Sequence, residues 1–395
     1  MRVLSVGNMY PPHHQGGYEL IWQDADRHLG AAGHEVRVLT TDHSEPGVRE
    51  AGDADVRREL RWYWRDHGWP RLGATERLAL ERHNARVFDA HLAGFAPDAV
   101  AWWSMGGMSL SLMERARRAG VPGVGLICDE WLVYGPEVDQ WIRLFRRRPW
   151  LRGIGALTGL PTRVDLPACA RYLYLSDVLR NDAANADPGL GAGEVAHRGP
   201  DTRDFREAPA RPWAWRLAYV GRIDPRKGID DAIRALAELP AEARLAVVGG
   251  GDTGHLDELR RLAAQLGLED RVAFSAASRA ELQAAYAEAD AVVFPVRWRE
   301  PWGLVPLEAM AVGRPVVATG AGGSGEYLED GGNCLLYDPG QGAGALAARL
   351  RDLAGDEGLR ARLRAGGLET AAGISARRYN ELIEAALAAA GEPAN

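Results

Sequence analysis

Residues 294–308 have the sequence F-P-V-R-W-R-E-P-W-G-L-V-P-L-E, and this stretch decides the fold predicted for the chain. An apolar run, residues 291–294, leads into it and predicts a buried parallel strand. Pro301 is predicted to open a helix, because a proline costs little at the first helical position. Gly303 and Leu304 would then lie in the first turn, where their backbone N–H groups are free to face an anion.

Two glutamates, Glu300 and Glu308, lie eight positions apart on either side of this predicted helix start. Carboxylates accept hydrogen bonds from vicinal hydroxyls, and a helix N-terminus attracts phosphate. The pair therefore suits a ligand that carries both hydroxyls and phosphates. A surface loop with two solvated glutamates is the alternative interpretation.

The same stretch resembles the donor-site signature of the retaining glycosyltransferases of family 4, which have the GT-B fold. That signature is a glutamate, any residue, Phe-Gly-Leu, and a second glutamate eight positions after the first; here Trp302 replaces the phenylalanine. The resemblance implies that Glu300 binds hydroxyls of the donor sugar and that Glu308 binds the ribose diol. The donor-site residues that it implies in this stretch are Glu300, Trp302, Gly303, Leu304, Val305 and Glu308.

A second motif, G-R-I-D-P-R-K-G at residues 221–228, follows a predicted strand at 217–220. It resembles the diphosphate clamp of the family, which implies that Arg222 and Lys227 neutralise the leaving diphosphate without a metal. An exposed basic turn is the alternative. Ser275, which ends another predicted strand, is expected to face the nucleobase.

The N-terminal half opens with a strand, a loop, a helix and a second strand, which favours a parallel sheet. Gly16 and Gly17 at the helix start would let the backbone approach the donor, although a tight turn explains them equally well. A later strand delivers Asp129 to the edge of the sheet that carries ligands in open parallel sheets. The candidate catalytic residues are Arg222, Lys227, Glu300 and Asp129. The alternative for Asp129 is that it caps the next helix. Cys128 stands where the family has a histidine that contacts the donor sugar near its C6 hydroxyl, which favours a sugar lacking or modified at C6, or a rotated acceptor.

Tryptophan is concentrated in the N-terminal half, with nine of the thirteen before residue 151. Exposed indole rings stack on sugar rings or apolar aglycones, whereas buried ones fill the core. We expect an acceptor-binding role for at least some of these rings, and core filling is the alternative. The candidate acceptor-binding residues are Trp62, Trp64, Trp69, Trp103 and Trp131.

Composition bounds the class of protein. The formal net charge of −7 and a pI near 5.9 do not favour nucleic acid as a partner. Three widely separated cysteines show no metal spacing and no disulfide framework, which indicates a reducing compartment. Neither a signal peptide nor an apolar run of transmembrane length is expected, so the sequence predicts a cytoplasmic protein.

Residues 141–152, from Trp141 to Arg152, combine an apolar stripe at helical spacing with five arginines. The stripe consists of Trp141, Leu144 and Phe145. Three interpretations stay open: peripheral docking on the inner membrane face, recognition of an acidic acceptor, and a basic helix face packed by its apolar side.

The sequence thus predicts an α/β protein with two Rossmann-like domains facing across a cleft, as in GT-B enzymes. Residues 1–205 form the expected acceptor domain, 206–374 the donor domain, and 375–395 a C-terminal helix packing back on the first domain. The resemblance implies a retaining, metal-independent glycosyltransferase without a cofactor, acting as a monomer or homodimer. Its donor would be a nucleotide diphosphate sugar, with a UDP-sugar expected, and its acceptor a hydroxyl of a sugar-containing, natural-product or lipid molecule. A sugar-nucleotide epimerase of the same fold and an inactive sugar-nucleotide-binding protein are the alternatives.

Overall fold

The computed structural model describes residues 1–14, 16–45, 47–49, 55–65 and 68–391. They form two compact units. The first consists of Met1–Ala196 and the described residues from Asn380 onward, and the second of His197–Tyr379. The last four residues of the predicted C-terminal segment, 392–395, lie outside the described residues. Each unit is built around one parallel sheet, so the predicted α/β class with two Rossmann-like domains is confirmed.

The first unit contains a seven-stranded parallel sheet in the order β3-β2-β1-β4-β5-β6-β7. Its strands are β1 (Arg2–Val6), β2 (Glu35–Thr41), β3 (Asp55–Leu60), β4 (Ala99–Trp102), β5 (Gly123–Ile127), β6 (Arg171–Tyr174) and β7 (Glu194–Val195). Its helices are α1 (Gly17–Ala31), α2 (Ala74–Phe95), α3 (Ser111–Arg118), α4 (Trp131–Val138), α5 (Gln140–Arg147), α6 (Arg152–Ala156), α7 (Leu166–Cys169) and α8 (Asp177–Ala186).

The second unit contains a six-stranded parallel sheet in the order β10-β9-β8-β11-β12-β13. Its strands are β8 (Arg216–Val220), β9 (Arg244–Val248), β10 (Val272–Ser275), β11 (Ala291–Phe294), β12 (Val316–Ala318) and β13 (Leu335–Leu336). Its helices are α9 (Ile229–Ala237), α10 (Thr253–Gln265), α11 (Arg279–Glu288), α12 (Leu304–Ala311), α13 (Ala343–Gly355) and α14 (Glu357–Gly373).

Strand β11 confirms the apolar run that leads into the deciding stretch. All four of its residues are buried, and it pairs in parallel with β8 on one side and β12 on the other. A strand that is covered on both faces needs apolar side chains throughout, which explains the unbroken A-V-V-F sequence. Because β8 and β11 are neighbours, the loops that follow them meet at one edge of the sheet.

The last helix, α15 (Ala376–Gly391), begins at the end of the second unit's range and belongs to the first unit from Asn380 onward. Within the first unit, the Glu384 carboxylate lies 3.0 Å from Nε2 of His28 and 3.1 Å from Nε2 of His34. The division between the units falls before the expected 205/206 boundary and after the expected 374/375 boundary. Within the second unit, the Ala376 N–H donates to the carbonyl of Pro200, so residues near both boundaries contact each other there.

The apolar stripe predicted for residues 141–152 faces the core of the first unit. Trp141 and Phe145 are buried and contact each other edge to face, with ring centroids 4.8 Å apart. The indole N–H of Trp141 donates to the carbonyl of Pro161 at 2.7 Å. These two rings are therefore not available for a membrane, as expected of a basic helix face packed by its apolar side. Docking of the segment Trp141–Arg152 as a whole stays a prediction. Among the described residues, no helix has both the length and the apolar run needed to cross a bilayer.

Candidate active site

The loop after β8 is folded around one carboxylate. Asp224 accepts a hydrogen bond from the backbone N–H of Arg226 and pairs with its guanidinium at 2.7 Å, and Arg222 lies 3.6 Å from the same carboxylate. The hydrogen bonds from Arg226 hold the pKa of Asp224 well below its usual range. The loop closes at Gly228, whose φ of 67° places it in the left-handed region. Asp224 thus fixes the backbone that carries Arg222 and Lys227.

Lys227 reaches the loop that follows the neighbouring strand, β11. Its ammonium nitrogen Nζ donates to Oε2 of Glu300 at 2.6 Å, and the indole N–H of Trp298 donates to the same oxygen at 2.7 Å. Both Lys227 and Glu300 keep only about a seventh of their side-chain surface exposed, 14% and 13%. The guanidinium of Arg226 lies over the Trp298 ring, 4.5 Å from its centroid. Two sequence motifs that lie 73 positions apart therefore form one polar cluster.

The backbone of Glu300 is held as firmly as its side chain. The N–H of Gly323 donates to the Glu300 carbonyl at 2.7 Å. Gly322 has a φ of 72°, and a Cβ atom at this position would lie 2.3 Å from the same carbonyl oxygen. Only a glycine permits this approach, so the glycine run after β12 supports the carboxylate from behind.

The helix of the deciding stretch begins later than predicted. Helix α12 starts at Leu304 with Gly303 as its N-cap at a φ of 88°, and Pro301 lies in the preceding loop. The prediction that Pro301 opens the helix was wrong, because the left-handed backbone of Gly303 is not helical and keeps Pro301 in the loop before it. Leu304 and Val305 are half-buried and occupy the first turn, so their N–H groups have no partner inside the helix.

Glu308 lies in the interior of the second unit with 7% of its surface exposed. The hydroxyl of Tyr286 on α11 donates to its Oε2 atom at 2.7 Å. Burial raises the pKa of Glu308, while that hydrogen bond and the charge of Arg279 oppose the shift. Ser275, the other residue expected near the nucleotide, is exposed at the end of β10.

Trp302 does not offer its ring to a ligand. The indole is 2% exposed, donates its N–H to the Arg198 carbonyl at 2.7 Å and stacks on His197 with centroids 4.4 Å apart. A further ring, Tyr327, lies 5.0 Å away. The expected donor contact of this side chain is therefore corrected: the ring packs inside the second unit and supports the loop that carries Glu300. A phenylalanine at this position has no N–H to donate to the Arg198 carbonyl.

In the first unit, Gly16 and Gly17 lie exposed at the start of α1, where the Gly16 N–H donates to the Glu19 carboxylate at 3.0 Å. Asp129 follows β5 and is half-buried. It accepts hydrogen bonds from the Trp131 backbone N–H and the Tyr134 hydroxyl, both at 3.1 Å. Burial raises the pKa of Asp129 to about 7, although both hydrogen bonds oppose the shift. Asp129 therefore accepts the first backbone N–H of α4, although the N-cap residue of that helix is Glu130.

The candidate acceptor tryptophans separate into two groups. Trp103 and Trp131 have no exposed surface, so neither ring can stack on a ligand, and the acceptor role expected of their side chains was wrong. The physical reason for Trp103 is a filled core: its ring stacks on Trp22 with centroids 5.9 Å apart.

The other three tryptophans retain some access. Trp69 is 43% exposed and lies so close to Gly107 that a Cβ atom there would be 2.1 Å from its ring. Trp64 is half-buried, and Trp62 keeps 8% of its surface exposed. These two rings lie 4.8 Å apart and line a cavity of about 280 Å³ together with Asp42, Arg61 and Arg65.

Sequence reasoning missed three aromatic residues that hold the candidate carboxylates: Trp298 on Glu300, Tyr286 on Glu308 and Tyr134 on Asp129. Trp298 lies two positions before Glu300, which places both side chains on one side of an extended loop and could have signalled the contact. Tyr286 lies on another helix, and no local spacing relates it to Glu308.

Residues 201–370 match the family model described as "Glycosyl transferases group 1". A similar curated protein is the GDP-mannose-dependent alpha-(1-6)-phosphatidylinositol monomannoside mannosyltransferase of Mycobacterium tuberculosis, 28% identical over 362 residues, which are 85% of this chain and 85% of that protein. The D-inositol 3-phosphate glycosyltransferase of Mycobacterium marinum is 37% identical over 181 residues, 42% of this chain and 38% of that protein.

Solved structures resemble the chain over nearly its whole length. HepE of Anabaena in complex with UDP-glucose aligns with a TM-score of 0.69 at 20% identity, covering 98% of this chain and 100% of that one. A glycosyltransferase from Rickettsia africae aligns with a TM-score of 0.73 at 14% identity, covering 100% and 99%. At these identities the likeness establishes the fold, and the family model and the curated relatives add the activity. The chain is therefore a glycosyltransferase with the GT-B fold, and its residues 201–370 carry the group 1 signature.

Proposed function

We propose that the protein transfers a sugar from a nucleotide diphosphate sugar to a hydroxyl of a sugar-containing, natural-product or lipid acceptor, with retention of anomeric configuration and without a divalent metal. The observation that carries this proposal is the 2.6 Å contact between Lys227 Nζ and Glu300 Oε2, made from the same loop that carries the exposed guanidinium of Arg222. It joins a cation suited to a diphosphate with a carboxylate suited to sugar hydroxyls.

In the transfer, the bond between the anomeric carbon and the diphosphate oxygen breaks, and the acceptor oxygen bonds to that carbon on the same face. The negative charge on the diphosphate grows as this bond breaks. Lys227 and Arg222 stabilise that charge, together with the N–H groups of Leu304 and Val305. The acceptor proton passes to an oxygen of the leaving diphosphate, so no side chain has to act as a covalent nucleophile.

Glu300 is suited to bind the donor sugar because only one of its carboxylate oxygens is occupied. Lys227 and Trp298 both donate to Oε2, and among the described residues no hydrogen bond to Oε1 is found. We assign Oε1 to hydroxyls of the donor sugar. Glu308, kept in place by Tyr286, is assigned to the ribose diol.

Asp129 is assigned a polar contact with a substrate hydroxyl, which its pKa near 7 would let it make as an acceptor or as a donor. Acceptor stacking is assigned to Trp69 and Trp64, the two candidate rings with more than marginal exposure. The first unit would thereby bind the acceptor, and the second unit would bind the donor.

The donor has two candidate nucleobases, uracil and guanine. A UDP-sugar is the donor expected from the sequence resemblance. The M. tuberculosis relative, which aligns over 85% of this chain, uses GDP-mannose according to its name. GDP-mannose is therefore the second candidate donor, to be tested beside UDP-glucose and other UDP-sugars.

A thermal-shift panel of nucleotide sugars tests donor binding, since a ligand at about a hundred times its Kd stabilises the native state by about 2.7 kcal/mol. The matching donor should raise Tm in the wild type and raise it less in Glu308→Gln. Glu288→Gln changes an exposed glutamate on α11 and serves as the matched control. If no nucleotide sugar shifts Tm, the donor assignment fails.

Turnover then separates transfer from the two alternatives. Nucleotide release that depends on an acceptor, with an anomeric configuration unchanged in the product by NMR, supports the proposal. An epimerase would consume the donor without an acceptor, and an inactive binding protein would bind without releasing nucleotide. Inversion at the anomeric carbon would contradict the retaining mechanism.

A further inference from the structure

One surface of the first unit differs in charge from the rest of the chain. Residues 140–164 contain six arginines and no aspartate, glutamate or lysine, whereas the whole chain has a net charge of −7. The arginines are Arg143, Arg146, Arg147, Arg148, Arg152 and Arg163. Because neither a core nor a catalytic pocket described above requires this charge, it calls for a separate explanation.

The same surface carries the most exposed large apolar side chains of the described residues. Leu157 is 87% exposed, Trp150 74% and Ile154 66%, while no other large apolar residue in the described ranges exceeds 43%. They follow the spacing i, i+4, i+7 through the turn Pro149–Leu151 and helix α6, which places side chains on one face. We call these three residues and Arg146–Arg148 the Arg146–Leu157 surface.

The platform beneath this surface is packed rather than loose. Phe145 of α5 is 3% exposed and fits against Gly155 of α6, where a Cβ atom would lie 2.5 Å from its ring. Trp141 holds the end of the following loop through its hydrogen bond to the Pro161 carbonyl. The exposed side chains therefore project from a backbone that is packed on the core. Because Phe145 already fills the space beneath α6, they cannot fold inward.

Local acidic residues do not cancel the positive charge. Arg146 and Arg147 share one carboxylate, that of Glu137, at 3.0 and 3.7 Å. Arg148 is exposed, and the described residues offer it no ion pair. At least two positive charges of this triplet thus remain uncompensated next to Trp150.

We propose that the Arg146–Leu157 surface docks on an anionic lipid bilayer. Trp150, Ile154 and Leu157 would enter the boundary between headgroups and acyl chains, where amphipathic aromatic and apolar side chains are stable. The arginine triplet would contact lipid phosphates. Each arginine near an anionic surface strengthens binding by about fivefold.

Charge distinguishes this occupant from a second copy of the chain. A twofold contact through the same surface would place two arginine triplets against each other, which is unfavourable. An anionic membrane instead supplies both complementary charge and an apolar layer.

The test is co-sedimentation of the full chain with vesicles of phosphatidylglycerol and phosphatidylcholine, compared with phosphatidylcholine alone, at low and high salt and without donor. We expect binding to the anionic vesicles that falls at high salt. The triple variant Arg146→Gln, Arg147→Gln, Arg148→Gln should reduce this binding at least tenfold. The triple variant Trp150→Ala, Ile154→Ser, Leu157→Ser should do the same.

Matched controls lie on the second unit: Leu266→Ser changes an exposed leucine and Arg234→Gln an exposed arginine, and both should bind as the wild type does. If the apolar triple variant is unstable, Leu157→Ser alone replaces it. The proposal is overturned if wild-type protein stays in the supernatant of anionic vesicles, or if both triple variants bind unchanged. It is also overturned if sedimentation equilibrium shows a dimer that Trp150→Ala abolishes, since the surface would then cover a second copy. Because no donor is present, these results stand apart from the proposed transfer.

Discussion

Lys227 and Glu300 lie on the loops that follow two neighbouring parallel strands, and their side chains meet at 2.6 Å. The contact depends on sheet order: β8 and β11 are adjacent although α9, β9, α10, β10 and α11 separate them along the chain. In open parallel sheets ligands bind at the carboxyl ends of the strands. The ion pair therefore lies at the edge of the sheet where a ligand is expected, which agrees with the proposed binding of a diphosphate and its sugar.

Removing either cation of the loop after β8 should slow turnover strongly. We expect Lys227→Ala and Arg222→Ala each to reduce kcat at least a hundredfold, because each removes stabilisation of the departing diphosphate worth about 3 kcal/mol or more. Steady-state kinetics with the best donor measures the effect. Arg234→Ala, which changes an exposed arginine on α9 outside this loop, is the control and should stay close to wild type. Near-normal turnover of a folded Lys227→Ala or Arg222→Ala protein would contradict the assignment.

Chelation should leave activity unchanged. Two cations and the N-terminus of α12 are expected to take the role that a divalent metal has in other sugar-nucleotide enzymes. Initial rates are compared in EDTA, in magnesium and in manganese after extensive dialysis. Loss of activity in EDTA that either metal restores would refute metal independence.

The exposed and buried tryptophans should respond differently to truncation. We expect Trp69→Ala to raise the KM for the acceptor without changing Tm or donor affinity, because its exposed ring can stack on a sugar or aglycone. Trp103→Ala should instead destabilise the first unit by about 3–5 kcal/mol, as large-to-small core changes do. Melting curves and acceptor titrations separate the two effects. An unchanged acceptor KM in both Trp69→Ala and Trp64→Ala would remove these rings from the acceptor site.

Asp26 should make stability depend on pH. It is 6% exposed and accepts a hydrogen bond at 2.8 Å from Ser5, whose hydroxyl oxygen accepts the indole N–H groups of Trp22 and Trp103. Burial raises the pKa of Asp26 to about 8. The native state therefore binds this proton more tightly than the unfolded chain does. The contribution of Asp26 to stability is greatest below the unfolded pKa near 4 and is lost as pH rises toward 8, at up to about 1.4 kcal/mol per unit.

Asp26→Asn removes this titration while keeping an oxygen that Ser5 can donate to. We expect the unfolding free energy of the variant, minus that of the wild type, to become more positive between pH 5 and pH 8. Urea denaturation at three pH values measures it. Asp257→Asn, an exposed aspartate on α10, is the control and should give a difference independent of pH. A flat difference for Asp26→Asn would show that the carboxyl titrates as in an unfolded chain.

The parts of the candidate site that could be predicted from the sequence lie in loops directly after buried strands. Arg222, Lys227 and Glu300 are of this kind, since apolar runs locate the strands and parallel pairing brings their ends to one edge. That reasoning located the strand ends, and the family resemblance singled out the three residues, but the contact between Lys227 and Glu300 was not predicted. It also could not supply Tyr286, because its contact with Glu308 depends on how α11 packs against α12.

Other expectations failed for identifiable reasons. The sequence shows that Trp102 and Trp103 point to opposite sides of the sheet edge, but not that both sides are covered. Phe88 of α2 covers one ring and Trp22 of α1 covers the other. Similarly, a proline is typical of a helix start, but Pro301 lies in the loop before α12. A Cβ atom on Gly323 would lie 2.2 Å from the Pro301 carbonyl oxygen, so the backbone of the glycine run packs against this loop, a contact that the sequence does not show.

The glycines that support the candidate site have a consequence for protein engineering. A Cβ atom at Gly228 would lie 2.0 Å from the Pro295 carbonyl oxygen, and one at Gly322 would lie 2.3 Å from that of Glu300. Main chain is packed directly on main chain at both positions, so a side chain at either glycine would displace a loop that carries the candidate site. A combinatorial library that seeks a different donor can therefore randomise exposed positions such as Ser275 while both glycines stay fixed, and its members should retain the frame on which Lys227 and Glu300 meet.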